Sequence, residues 1–545
     1  MTMRKELSTT DKSEKPEKSS APPIHPTLFA LFPILALYAQ NVEEVGWRQL
    51  LKPLAIALVG TFVVWLIATL ATKNLWKGAL IASLLSLPYF SYSHVFDLMP
   101  SANRWAIIPI FIAIVVPLFF MIVRAKGKLK EATLALNFAS TVLLLPSLWT
   151  VAVNSWQLSQ IKPKPPLVRS SQLRKDTSHP SAKRKTYLGV KSSQSSPDIY
   201  YLILDAYGRQ DSLKTFFGFD NSIFIKELQN RGFYVAAKSR ANYNQTTLCI
   251  ASSLNFTYLD EVTTENSPAA GLEACRQMLD DNEVAAYLSG KGYRYVSIGC
   301  GVGQTRVDTA DVSLNPTTPV PEFEDLAVDM TIPGPLRRAA FQNKRYDQHR
   351  NNLRGVFDNL DVIAQQPYTK FVFAHVLAPH PPFVFGPNGE AVYPNTPFTF
   401  SDASALLKLI SPEQYKAGYI SQLKYVNHRT LQAIDAILKQ SKTRPVIIIQ
   451  GDHGSRFSLD WESLEKTDLR EPFSIFNSYL VPSQARAHLY DKITPVNTFP
   501  VLLNSIFGAN FKLQPDRSFY STAEEPLDFT DVTAQINEPT TPSNR

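Results

Sequence analysis

Two runs of apolar residues that end on acidic residues constrain this chain most. Tyr200-Tyr201-Leu202-Ile203-Leu204 runs into Asp205, and Val446-Ile447-Ile448-Ile449 runs through Gln450 and Gly451 into Asp452, His453 and Gly454. A short run of apolar and β-branched residues without alternation reads as a strand buried on both faces, which is the pattern of a parallel sheet. Open α/β sheets hold their ligands just beyond the carboxyl ends of such strands. Asp205, Asp452 and His453 should therefore share one rim.

Helical and strand patterns alternate between these runs. Residues 222–231, 282–290, 351–366 and 413–439 carry the helical period, and each is followed by a strand pattern, over 233–236, 293–298, 369–375 and 445–450. That alternation predicts an α/β unit with a mostly parallel central sheet and helices on both faces. The unit spans 197–533, and the polar, Pro-containing stretch 534–545 reads as a disordered tail.

The first third of the chain is built differently. Residues 53–71, 105–123 and 132–153 each approach the roughly 20 apolar residues needed to cross a bilayer; 78–95 is nearly as long and 28–39 is shorter. The expectation is a bundle of about five transmembrane helices over 27–154. Lys and Arg cluster in the polar tail 1–26 (Arg4, Lys5, Lys12, Lys15, Lys18), at Lys73 and Lys77, and at Arg124, Lys126, Lys128 and Lys130, whereas the alternate loops carry Glu43, Glu44 and Asp97. By the positive-inside rule the tail is cytoplasmic. An odd number of spans then makes this a multi-pass protein of the plasma (inner) membrane with its α/β unit on the outer, periplasmic face. Residues 155–196, rich in Pro, Ser, Lys and Arg, read as an extended linker. The net charge of +8 is mostly explained by these basic loops and the linker, so the partner implied is membrane lipid and not nucleic acid. Three cysteines, Cys249, Cys275 and Cys300, are too few for a disulfide scaffold; Cys275 and Cys300 could pair or stay free. Nothing in the sequence bears on oligomeric state.

Asp205, then Thr246 in Ser239-Arg240-Ala241-Asn242-Tyr243-Asn244-Gln245-Thr246, then Pro379-His380-Pro381-Pro382-Phe383 and Asp452-His453-Gly454, together resemble the alkaline phosphatase and sulfatase superfamily. Within it the chain looks like the membrane-anchored branch of lipoteichoic acid synthases and phosphoethanolamine transferases. The resemblance implies a transferase or hydrolase of phosphodiesters or phosphate esters, with Thr246 as nucleophile at the start of a helix. It implies one divalent ion held by Asp205, Thr246, Asp452 and His453, and His380 touching the transferred group or leaving oxygen. The substrate implied is a lipid-linked donor or an envelope glycan.

The residues support that chemistry on their own terms. Two carboxylates and an imidazole suit Zn²⁺, Mn²⁺ or Mg²⁺ without choosing among them. A threonine hydroxyl is a poor nucleophile until a cation and a helix amino terminus favour its alkoxide. Histidine titrates where a general acid or base is needed, and Arg456 could grip a phosphate in a bidentate fashion. Thr247 is the competing nucleophile, and His375, at a strand end, is ambiguous. Cys249 opens only part of the Cys-x-Pro/Ala-x-Arg pattern of formylglycine sulfatases, because Ser253 stands where Arg is required. No second Asp-x-x-x-His set is in register, so a single-metal site is expected. Gly299-Cys300-Gly301-Val302-Gly303 lacks the context of a dinucleotide-binding turn. The alternatives are a sulfatase-type ester hydrolase and a catalytically inactive metal-binding membrane module.

Overall fold

The computed structural model describes residues 22–41, 47–97, 107–127, 129–160, 196–260, 268–316 and 322–537. The expected linker therefore lies largely, and the expected tail partly, outside the described residues. The chain divides into two compact units, one of Met1–Ala152 with Pro321–Pro335 and one of Val153–Val320 with Leu336–Arg545.

The first unit contains the helices His25–Gln40, Trp47–Thr72, Leu75–Asp97 and Ile107–Arg124 and most of Leu129–Gln160. Three segments, Trp47–Thr72, Ile107–Arg124 and Leu129–Trp156, are long and apolar enough to cross a membrane. Their burial is inverted relative to a water-soluble helix. Within Trp47–Thr72 the small residues Ala57, Thr61 and Ala68 are buried while Ile56, Phe62, Ile67 and Leu70 are exposed, and Thr61 meets Ser86 across the helix pair at 3.2 Å. Small residues let helices approach closely when lipid, rather than water, surrounds them. The 197–533 unit expected from the sequence is interrupted, because the helix Glu322–Asp329 folds here: Phe323, Ala327 and Met330 pack with Ile34, Leu37, Tyr38 and Ala57. Lys52 also pairs with Glu324. The reason is local, since a short helix with an apolar stripe buries it wherever complementary apolar surface is offered.

The second unit is organised by a seven-stranded sheet. Its strands are β1 (Ile199–Leu204), β2 (Tyr234–Val235), β3 (Arg294–Ile298), β4 (Val312–Leu314), β5 (Lys370–Val376), β6 (Val446–Gln450) and β7 (Asn477–Leu480), in the order β2-β7-β6-β1-β5-β3-β4. From β4 to β6 all pairings are parallel; β7 runs antiparallel to β6, and β2 to β7. The mostly parallel sheet is thus as expected, with the exceptions confined to one edge. Both faces are covered. Tyr200, Leu202 and Leu204 enter one apolar core with helix Pro412–Gln440, and Ile199, Tyr201 and Ile203 enter the other with helices Thr246–Asn255 and Pro495–Phe507. Alternate side chains of one strand go to opposite faces, which is why β1 reads as an unbroken apolar run. Cys275 and Cys300 are free and buried, as is Cys249.

Candidate metal centre and its threonine

β1 and β6 are neighbouring parallel strands, with Ile203 opposite Gln450. Their carboxyl ends therefore deliver Asp205 and the Asp452-His453 pair to the same rim. The turn after β6 is tight: a Cβ added at Gly451 would sit 2.4 Å from the Tyr207 carbonyl oxygen, so only glycine lets the two strand ends approach so closely. Ala206 is held at φ 65°, an uncommon conformation for a residue with a Cβ and one that recurs at functional sites.

Asp205 and Asp452 each use one oxygen for structure and leave the other without a partner, and His453 fixes its ring through Nδ1. Asp452 Oδ1 accepts from the backbone N–H groups of Ala206 (3.1 Å) and His453 (2.9 Å), and its Oδ2 has no hydrogen-bond partner. Asp205 Oδ2 accepts from His375 Nε2 at 3.1 Å, and its Oδ1 has none. His453 Nδ1 lies 2.7 Å from the Gly454 carbonyl oxygen. A carbonyl only accepts, so Nδ1 carries the proton and, in the neutral ring, Nε2 presents a lone pair. That Nε2 lies 3.1 Å from Asp452 Oδ2 and 3.5 Å from Asp205 Oδ1. Donor atoms of the three residues lie within 4.8 Å of one another, the one such group among the described residues. Lone pairs crowded together in a buried site, with the rest of each side chain already bonded, fit a divalent cation.

Thr246 completes the group. Its Oγ1 is 3.0 Å from His453 Nε2, and it opens the helix Thr246–Asn255, whose N-cap Gln245 is extended and provides no side-chain cap. The first-turn N–H groups are thus left to favour negative charge beside the hydroxyl. Thr247 is half-buried. Cys249 is buried, and its Sγ donates to the Tyr243 carbonyl oxygen at 3.0 Å. Burial and the nearby Asp452 charge push its thiol well above the usual range, and the side chain packs in the second core.

The charges favour ionised carboxylates. Burial pushes the Asp452 carboxyl up, but His453, His375 and Arg456 outweigh it and hold the group well below the carboxylate range. Burial and Asp452 raise Asp205, and His380, His375 and His453 more than offset them. His380 is buried in the loop after β5. Its backbone N–H donates to the Asp205 carbonyl oxygen (3.1 Å), and its Nδ1 is 2.5 Å from the Pro381 carbonyl oxygen, which leaves Nε2 open. Burial holds this ring below its usual pKa. Arg456, at φ 61°, lies over the Trp461 ring at 5.2 Å, and its Nε has no partner.

The structure therefore brings Asp205, Asp452, His453 and Thr246 together. It places His380 and Arg456 near enough for their charges to act on Asp205 and Asp452 respectively, and resolves the ambiguous His375 as a partner of Asp205. Two participants escaped the sequence reading. Ala206 ties the two strand ends, and Glu471 accepts from Ser455 Oγ (2.7 Å) and the Ser458 backbone N–H (3.2 Å) to hold the loop that carries Arg456. Neither has a local sequence signal, since both act through contacts with distant segments.

This arrangement defines an α/β protein with a cation-suited rim and a helix-terminal hydroxyl. No family model matches the sequence, and no curated protein matches it. Among solved structures, the chain is similar to the periplasmic domain of EptC from Escherichia coli in complex with Zn (13% identity, TM-score 0.39, 63% of this chain and 94% of that one). It is similar to the integral membrane lipooligosaccharide phosphoethanolamine transferase A from Neisseria meningitidis (12%, TM-score 0.34, 89% and 96%). It is also similar to a protein of the alkaline phosphatase superfamily from Vibrio parahaemolyticus (12%, TM-score 0.34, 61% and 74%). These are distant likenesses.

Proposed function

We propose that the protein is a membrane-bound, metal-dependent enzyme that cleaves phosphodiesters or phosphate esters through a covalent Thr246 intermediate. The observation that carries this reading is the convergence of Asp205 Oδ1 and Asp452 Oδ2, neither with a hydrogen-bond partner, on His453 Nε2, which meets the Thr246 hydroxyl at a helix amino terminus. Asp205, Thr246, Asp452 and His453 would hold one Zn²⁺, Mn²⁺ or Mg²⁺, which when bound supplies Lewis-acid charge stabilisation to the nucleophile and the transferred group.

The chain's own residues do the rest. Thr246 Oγ attacks phosphorus as its proton passes to His380 Nε2, which is open on a ring whose pKa burial lowers; the Oγ–P bond forms, the bond from phosphorus to the leaving oxygen breaks, and His380 delivers the proton to that oxygen. In the second half His380 takes the proton of the incoming hydroxyl or water as it attacks the Thr246 ester, and returns it to the departing Thr246 oxygen. Arg456 binds a non-bridging oxygen of the transferred group. The apolar helices favour a lipid-linked donor or an envelope glycan acceptor at the plasma membrane, with the α/β unit on the outer face and the amino terminus in the cytoplasm. A reporter fused after Asn154 should then be active outside the cytoplasm, and one fused after Lys126 inactive; reversed activities would overturn the orientation.

The test of the chemistry is intact-mass analysis and peptide mapping after incubation with phospholipid donors. The expected result is an adduct on Thr246 that is absent, with all turnover, in Thr246→Ala. An adduct on Thr247, or turnover by Thr246→Ala, would defeat the assignment. A formylglycine sulfatase is disfavoured by Cys249, whose thiol is bonded to Tyr243.

A further inference from the structure

His375 and the glycine-rich turn after β3 have no place in the chemistry so far. We infer that His375 is a positioning residue that determines which oxygen of Asp205 faces the cation, and that the 299–305 turn serves to hold His375. The inference rests on the metal reading above.

The geometry is directional. His375 lies on β5 opposite Ile203 of β1, so its ring and the Asp205 carboxylate emerge side by side at the rim. Nε2 donates to Asp205 Oδ2 at 3.1 Å, whichever protonation state the other nitrogen adopts. On the far side of the ring, Nδ1 meets Thr305 Oγ1 at 2.7 Å and Cys300 Sγ at 3.5 Å. Thr305, Cys300 and His375 are all at least 97% buried. The ring is therefore gripped from behind and presents one N–H forwards.

An aspartate needs such a partner. The terminal torsion of Asp is broad and roughly two-fold, so an unrestrained carboxylate can offer either oxygen or both. With Oδ2 taken by His375, only Oδ1 remains open. Metal-binding histidines are commonly oriented by a carboxylate behind them; here the order is inverted, with a histidine behind a carboxylate ligand. The turn that supplies the grip follows β3, the other neighbour of β5. Gly301 sits at φ 93°, and a Cβ there would lie 2.7 Å from Asn352 Nδ2. Glycine at this position lets the backbone bring Cys300 and Thr305 onto the ring.

The test compares three variants of the full chain in detergent: His375→Leu, which removes the donor; His375→Gln, whose amide N–H can replace it; and Thr305→Val, which removes the rear hydroxyl at nearly constant volume. Cation affinity is read by competition with a chromophoric chelator, and coordination by the visible spectrum of the cobalt(II) form. Loss of a group that orients a ligand typically costs about 10–100-fold in affinity. His375→Leu should show that loss and an altered cobalt spectrum, Thr305→Val a smaller loss, and His375→Gln should recover most of the affinity and the native spectrum. Native affinity and spectrum in folded His375→Leu, or equal losses in the Leu and Gln variants, would overturn the inference. Should His375→Leu fail to fold, native affinity in Thr305→Val alone would overturn the role of the turn, and failure of Gln to restore the spectrum would overturn that of His375. A wild-type protein that binds no divalent cation would instead bring down the metal reading, and this inference with it.

Discussion

Asp452 and Glu471 are both fully buried carboxylates at the same rim, and they are treated in opposite ways. Glu471 has both oxygens occupied, by Ser455 and Ser458, and burial pushes its carboxyl up. Asp452 has one oxygen without a hydrogen-bond partner, and its interactions with His453, His375 and Arg456 overcome burial to hold it down. Burial alone therefore does not mark a ligand. An acid surrounded by serine donors is a bolt between two turns; an acid beside basic groups, with an oxygen left unpartnered, is the one to which the proposed function gives a cation.

The comparison breaks most decisively if the charge of each acid is removed at constant shape. Asp452→Asn should weaken cation binding by at least about 100-fold, more than the loss expected for groups that merely orient a ligand. Chelator competition on the purified protein measures this, and near-native affinity would refute the ligand role.

A third buried group sharpens the contrast. His349 has two unpartnered ring nitrogens, but among the described residues it joins no metal-suited group, and the ring makes edge-to-face contacts with Phe398 and Phe400. Burial, with the His380 and Arg350 charges, lowers its pKa from 6.5 to about 3. Because the folded value lies below the unfolded one, its contribution to stability is complete above about pH 6.5 and is lost as pH falls towards 3, at up to ~1.4 kcal/mol per pH unit. Thermal unfolding from pH 7 to 4 should be measurably less acid-sensitive in His349→Phe than in wild type. An unchanged slope would show that this ring does not resist protonation.

Glu471→Gln should have a smaller effect, because an amide can keep one acceptor and offer a donor to Ser455. The folded pKa of Glu471 is raised, so the wild-type carboxyl stabilises fully only below its unfolded value and loses that contribution as pH rises through the folded one. The Gln variant should therefore melt at the same or a slightly higher temperature at neutral pH and keep cation affinity. A loss of affinity comparable to that of Asp452→Asn would erase the distinction between the two acids. Smallest of all, Cys249→Ser should preserve turnover, since a hydroxyl can also donate to the Tyr243 carbonyl; abolished turnover with intact folding would return Cys249 to the reaction.

Much of the rim was legible in advance. Asp205, Asp452 and His453 follow from reading β1 and β6 as strands and placing ligands at their carboxyl ends, and Thr246 followed from its Asn-Gln-Thr context together with the resemblance. Thr305, Cys300 and Glu471 were not legible as participants, because none sits in a pattern that distinguishes a structural polar residue from a functional one. Pro321–Pro335 carried no signal that it would leave the sheet unit for the helices.

Sequence by itself determined what is periodic and local. Unbroken apolar runs specify strands buried on both faces, and the longer apolar runs of the first third specify helices suited to lipid. Tertiary structure decided which oxygen of each carboxylate stays open, which histidine stands behind Asp205 from 170 positions along the chain, and which buried acid keeps an unpartnered oxygen and which holds a loop. The reason is physical: a strand or helix is set by neighbours in sequence, whereas the fate of a buried polar atom depends on donors and charges that distant segments bring to within hydrogen-bonding distance.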